Sequence, residues 1–112
     1  MAQLQELNQK NFDTAIQESA VPILVDFYAP WCAPCNALAP TLDAVALEQT
    51  GRLNVVKVNI DDSPELASRF GIQSIPSLIA FEGGEIAVEI RGLVSKGELL
   101  SQLAPVLNAD VK

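Results

Sequence analysis

The sequence predicts an α/β fold: a central mixed β-sheet of about five strands, with about four helices distributed over both faces. Three observations carry this expectation. Ile23-Leu24-Val25-Asp26-Phe27-Tyr28-Ala29 is almost continuously apolar, as a central strand covered on both faces should be. Helix-sized segments with caps or stops alternate with β-branched runs. Gly83-Gly84 separates two strand-like segments, the signature of an antiparallel hairpin at one edge.

The elements follow in the order βαβαβαββα. A short first strand spans Gln3 to Leu7. Asn11 is placed to cap a helix running to Glu18, in which Phe12, Ala15 and Ile16 share a face. After the central strand comes a helix from Pro34 to Gln49, with a kink expected at Pro40 and a stop at Gly51. Leu53 to Ile60 is β-branched and strand-like. Ser63-Pro64-Glu65 opens a short helix with Ser63 as cap and Pro64 in the first turn, and Gly71 closes it. Ser77 to Phe81 and Ile86 to Ile90 are the hairpin strands. Ser95-Lys96-Gly97-Glu98 is a capping box opening the last helix, which Pro105 should shorten or bend.

Composition bounds the function. The 112 residues suffice for one domain, 1–112, and are too few for two. A chain of this size buries roughly 65% of its unfolded surface, so it needs neither a disulfide staple nor a metal to fold. With 49% hydrophobic and 19% charged residues, it is not a disordered segment. Its net charge is −7 and its seven basic residues are scattered, which argues against nucleic acid and anionic membrane as partners. The apolar runs are strand-sized, so none is expected to cross a membrane. Met1-Ala2-Gln3-Leu4-Gln5-Glu6 has neither a basic nor an apolar segment of the signal-peptide type, and a cytoplasmic location is expected. The absence of histidine removes Ser-His and Cys-His triads, and two cysteines cannot build a four-ligand zinc site.

The only two cysteines lie in Trp31-Cys32-Ala33-Pro34-Cys35, where the buried strand hands over to a helix N-terminus. A thiol acts as a thiolate, and the free N–H groups and positive dipole end of a helix start stabilise that charge.

Phe27-Tyr28-Ala29-Pro30-Trp31-Cys32-Ala33-Pro34-Cys35 resembles the active-site motif of the thioredoxin family. Asp26, Pro40, Lys57, Ile75-Pro76, Gly84 and Gly92 also fall where members of that family carry these residues. The resemblance covers essentially the whole chain and implies the thioredoxin fold. The motif departs from the commonest pattern at Ala33 (usually glycine), Tyr28 (often tryptophan), Asn36 (often lysine) and Ser74 (often glycine). None of these removes a catalytic group. Ala33, beside Pro34, is the position expected to tune the redox potential; Asn36, Ser74, Arg91 and Leu93 are those expected to alter partner docking.

The resemblance implies a protein-disulfide reductase working by reversible dithiol–disulfide exchange. Cys32, exposed at the helix start, is the expected nucleophile. Cys35, nearly one turn in, is expected to attack the mixed disulfide and release product. A purely structural crosslink is the alternative, but closing a four-residue loop is worth only about 2 kcal/mol, against roughly 3 for fifteen residues. Asp26 interrupts an apolar strand and Lys57 interrupts Val55-Val56-Lys57-Val58. Burial raises a carboxyl pKa and a nearby ammonium lowers it, so the pair is either a proton acceptor for Cys35 with its modulator or a structural ion pair.

By the same resemblance, Ile75–Pro76 is a cis bond facing the cysteines, leaving the Ile75 backbone to pair with an extended substrate segment. Trp31, Ser74, Ile75, Pro76, Arg91 and Gly92 form the expected substrate groove. No Gly-rich dinucleotide loop is present, so no cofactor is expected. The implied partners are disulfide-containing target proteins and a separate thioredoxin reductase, with the chain acting as a monomer. Two other functions compete. One is an oxidant or isomerase on the same fold; the uncharged Ala33-Pro34 pair speaks against it. The other is a non-catalytic subunit that docks a larger protein, against which an intact dithiol with Asp26 behind it argues.

Overall fold

The structure, a computed structural model, describes residues 4–107. Its elements are β1 (Gln5–Leu7), α1 (Phe12–Glu18), β2 (Ile23–Tyr28), α2 (Ala33–Glu48), β3 (Asn54–Asn59), α3 (Pro64–Arg69), β4 (Ser77–Glu82), β5 (Glu85–Arg91), α4 (Lys96–Gln102) and α5 (Ala104–Leu107). The strands form one sheet in the order β1-β3-β2-β4-β5. The first three are parallel, β4 runs antiparallel to β2, and β5 runs antiparallel to β4. The expected mixed sheet of five strands is therefore present. Gln3, the expected start of β1, lies outside the described residues.

Strand alternation sorts the core into two layers. Leu24, Val55, Leu78, Ala80 and Ile90 face α2, α4 and α5, where they meet Leu38, Leu42, Val45, Leu99, Leu103 and Val106. Leu7, Ile23, Val25, Phe27, Val56, Val58, Ile79 and Phe81 face α1 and α3. On that second side Phe12, Phe27, Phe70 and Phe81 form a cluster with ring centroids 5.4–5.8 Å apart, the spacing of tilted and edge-on aromatic pairs. Asp26 and Lys57 have the parity of Leu24 and Val55, so the sheet directs them towards the α2 side.

Local signals behave as their chemistry requires in most places. Gly83 and Gly84, at φ 61° and 84°, close the two-residue β4–β5 turn in a conformation open to glycine. The capping box at Ser95 is complete: Ser95 Oγ accepts from the Glu98 N–H at 3.1 Å, and the Ser95 N–H donates to Glu98 Oε1 at 3.1 Å. Gly71, at φ 63°, ends α3 with paired bonds from Ile72 N–H to the Ala67 carbonyl and from Gly71 N–H to the Ser68 carbonyl. α2 continues past Pro40 as one element and ends at Glu48, followed at once by the turn over residues 49–52 that carries Gly51 at φ 84°.

Three expectations need correction. Asn11 precedes α1 without capping it: its Oδ1 accepts from the Asn8 N–H at 2.8 Å, in a turn that Asn8 reciprocates. Ser63 precedes α3 without a side-chain cap bond, and Pro64 at N1 leaves one fewer N–H to satisfy. The last helix is not one bent element but two, α4 and α5, separated at Leu103. Pro105 has no N–H to continue the i→i−4 ladder, so the chain restarts as a short second helix. Among the described residues there are therefore five helices where about four were expected.

Candidate active site

β2 and β3 are parallel, so the segments leaving them emerge at the same sheet edge. β4 is antiparallel to β2, which brings its beginning to that edge, with Ser77 opposite Phe27. β5 then returns to it, with Arg91 opposite Ser77. Topology thus gathers Trp31–Cys35, Asp61, Ile75–Pro76 and Gly92 at the carboxyl end of the central strand.

Cys32 is the N-cap of α2, with extended backbone (φ −87°, ψ 110°), and its Sγ accepts from the Cys35 N–H at 3.2 Å. A sulfur at this position lies where helix N–H groups and the positive dipole end favour negative charge. Cys32 and Cys35 are joined as a disulfide, their Cα atoms 5.2 Å apart. Both are buried, at 5% and 3% exposure, packed with Ala29 and flanked by Tyr28, Ile60 and Ile75. The expected exposure of Cys32 is therefore not met in this disulfide form. Sequence places Cys32 at the start of the helix, but Ile75 from another loop covers it, with its carbonyl oxygen 3.8 Å from Cys32 Sγ.

The Ile75–Pro76 bond is cis, as expected. The Pro76 carbonyl accepts from the Gly92 N–H at 2.9 Å, and Gly92 has φ 85°, so the two expected groove residues are held together by the backbone. Ser74 is exposed, its carbonyl accepting from Ser77 Oγ at 2.7 Å. Arg91 is exposed and turns its guanidinium back along its strand to Glu89 Oε1 at 3.3 Å. Trp31 is 70% exposed, so its ring is not part of the core. Its Nε1–H donates to Asp61 Oδ2 at 2.9 Å, and Asp61 N–H is held by Asn59 Oδ1 at 2.9 Å. Ala33 and Pro34 are exposed in the first turn of α2, and Asn36 Nδ2–H fastens that turn to the Pro30 carbonyl at 3.2 Å.

Asp26 is 5% exposed, and its Oδ1 is fully buried without a hydrogen-bond partner. Burial pushes its pKa up to about 7, against the downward pull of Lys57, its register partner on β3. Lys57 itself is half-buried, its Nζ 5.4 Å from the centroid of the Tyr28 ring. Tyr28 OH donates to Glu6 Oε2 at 2.8 Å. Burial first, then the Glu6 carboxylate, push the phenol's pKa upward.

Sequence reasoning missed Asp61 and Glu6. The first had a signal: Asp61 lies two residues past the end of β3, and loops leaving neighbouring parallel strands meet at one edge. The second required the β1–β3 register. Among the described residues no three histidine, cysteine, aspartate or glutamate side chains are placed to hold a metal ion. No helix among them is long and apolar enough to cross a membrane.

Comparison with known proteins agrees with this geometry. The family model described as Thioredoxin matches residues 3–105. The chain is 43% identical over 102 residues to "Thioredoxin M-type, chloroplastic" of Chlamydomonas reinhardtii, covering 91% of this chain and 73% of that protein. It is 42% identical over 103 residues to "Thioredoxin 1" of Nostoc sp., covering 92% and 96%. It is 39% identical over 107 residues to "Thioredoxin" of Synechocystis sp., covering 96% and 100%. With its redox cysteine pair at the start of α2, the chain belongs to the thioredoxin family of thiol–disulfide oxidoreductases.

Proposed function

We propose that this chain reduces disulfides of other proteins as one domain over residues 1–112, with a fixed division of labour at its cysteine pair. The observation that carries this reading is the placement of Cys32 Sγ as the cap of α2, accepting the Cys35 N–H at 3.2 Å. The reduced protein holds Cys32 as thiolate there. The thiolate attacks one sulfur of the target disulfide; a Cys32–target bond forms, and the other target sulfur leaves as a thiolate. Cys35 then gives its proton to Asp26 and attacks Cys32 Sγ. The Cys32–Cys35 bond forms and the second target thiolate departs. Asp26 suits the acceptor role because its carboxyl is buried and titrates near neutrality, and Lys57 moderates its charge.

Trp31, Ser74, Ile75, Pro76, Arg91 and Gly92 serve as the target-binding surface, the Ile75 backbone pairing with an extended segment of the target. Ala33 and Pro34 set the redox balance of the loop and carry no charge that would favour an oxidant. The product disulfide is reduced by a separate thioredoxin reductase. The protein works as a monomer in a reducing, cytoplasmic setting and needs no cofactor of its own; with a net charge of −7 it does not bind nucleic acid or membranes.

The test is an insulin-type disulfide reduction assay on Cys32→Ser and Cys35→Ser. Cys32→Ser should lose turnover. Cys35→Ser should accumulate a covalent adduct with the target that dithiothreitol dissolves. Turnover by Cys32→Ser, or no adduct with Cys35→Ser, would reverse the assigned roles.

A further inference from the structure

Lys57 is shared by two strands. Both β1 and β2 pair with β3, and in those registers Glu6 lies beside Lys57 on one side and Asp26 on the other. Strand parity puts all three on the α2 side, because their neighbours Leu7, Val25, Phe27, Val56 and Val58 line the opposite core. Tyr28, two residues beyond Asp26, has the same parity. Its hydroxyl donates to Glu6 Oε2 at 2.8 Å and its ring receives the Lys57 ammonium at 5.4 Å. The ammonium thus has an aromatic seat and a carboxylate on each flanking strand.

The two carboxylates are unequal. Glu6 is exposed, whereas Asp26 is buried with an oxygen left unpartnered. A second negative charge beside the ammonium draws it towards β1 and away from Asp26. Other charges nearby have their own partners or lie elsewhere. Asp62 acts on Tyr28 from the segment after β3. α2 brings Cys35 at its start and Asp43 and Glu48 on its later turns; Glu48 pairs with Lys96 of α4, and Glu98 closes its own capping box. On β5, Glu89 pairs with Arg91, and the β4 residue in register with Asp26 is the apolar Leu78.

We propose that Tyr28 and Glu6 are positioning residues for the Lys57–Asp26 pair. The Tyr28 ring seats the ammonium, its hydroxyl holds Glu6 beside it, and Glu6 shares the ammonium with Asp26. Asp26 thereby stays basic enough to take a proton at neutral pH. The functional consequence rests on the reading of Asp26 as proton acceptor; the charge coupling does not.

The test is to follow the Asp26 carboxyl carbon by NMR across pH in the oxidised protein, which has no thiol to titrate. Glu6→Gln keeps an oxygen for the Tyr28 hydroxyl and removes only the charge. It should lower the Asp26 midpoint by about 0.5 pH unit, the size expected of an exposed charge. Tyr28→Phe should lower it as well, by releasing Glu6 into solvent. In a Lys57→Gln background the effect of Glu6→Gln should shrink to less than half, the coupling a double-mutant cycle isolates. No shift in Glu6→Gln, or the same shift with and without Lys57, would overturn the proposal. The expected shifts together with undiminished turnover in Asp26→Ala would instead refute the acceptor role and leave the coupling standing.

Discussion

Asp26→Ala should make the protein more stable at neutral pH while slowing it as a reductase. The folded pKa of Asp26 is about 7, raised by burial. An unfolded aspartate titrates near 3.9, so the gap is about three units, each worth about 1.4 kcal/mol. Because the pKa is raised, the fold favours the protonated acid. That preference is fully present below about pH 4 and is lost as pH rises through about 7. At pH 7, where half of the folded molecules are still protonated, the carboxylate is a liability of about 4 kcal/mol.

Alanine removes that liability and leaves a small void. Losing the carboxyl group opens about 40 Å³, a cost of about 1 kcal/mol. Lys57 is half-buried and can turn its ammonium to water. The net gain at pH 7 is about 3 kcal/mol, or about 2 M in the urea midpoint. At pH 4 the liability shrinks to about 0.5 kcal/mol, less than the void costs, so the variant should there be slightly the less stable. Urea melts of oxidised wild type and variant at pH 4 and pH 7, with a reductase assay alongside, decide the matter. A stability difference that does not change between the two pH values would refute the argument from burial. A fully active variant would reduce Asp26 to a structural partner of Lys57.

Two further substitutions test the scaffold. Ser95→Ala removes the acceptor of the α4 capping box and should cost about 1 kcal/mol in a denaturant melt, with reductase activity unchanged. Gly84→Ala places a side chain at φ 84°, where its Cβ meets nothing within 4 Å, so the penalty is conformational alone. It should be about 1–2 kcal/mol. A loss of activity beyond the loss of folded protein would link the hairpin turn to the site.

The fold was legible in the sequence wherever the signal is local. The apolar run at residues 23–29, the Gly83-Gly84 turn and the Ser95–Glu98 box each follow from propensities within a few residues. Reading failed where a local group had two possible partners. Asn11 and Ser63 are good caps by type, yet Asn11 serves a turn with Asn8, and neither side chain caps the helix it precedes. Pro105 was legible as a break, but only packing of Val106 and Leu107 against the α2 layer shows that a second helix follows it.

The sequence by itself determined the chemistry available: two cysteines three positions apart at a helix start, an acid inside an apolar strand, and no histidine to replace them. It also determined the α/β class, because strand alternation and helical caps are read from neighbouring residues. Only the tertiary structure decided which groups meet. Strand pairing set Glu6, Lys57 and Asp26 in one row from three distant segments. The antiparallel β4 brought Ile75 over Cys32 and buried a sulfur that its place in the chain suggested was exposed. Burial and charge coupling depend on distances through space, and those are fixed by sheet register and loop packing, which no local pattern encodes.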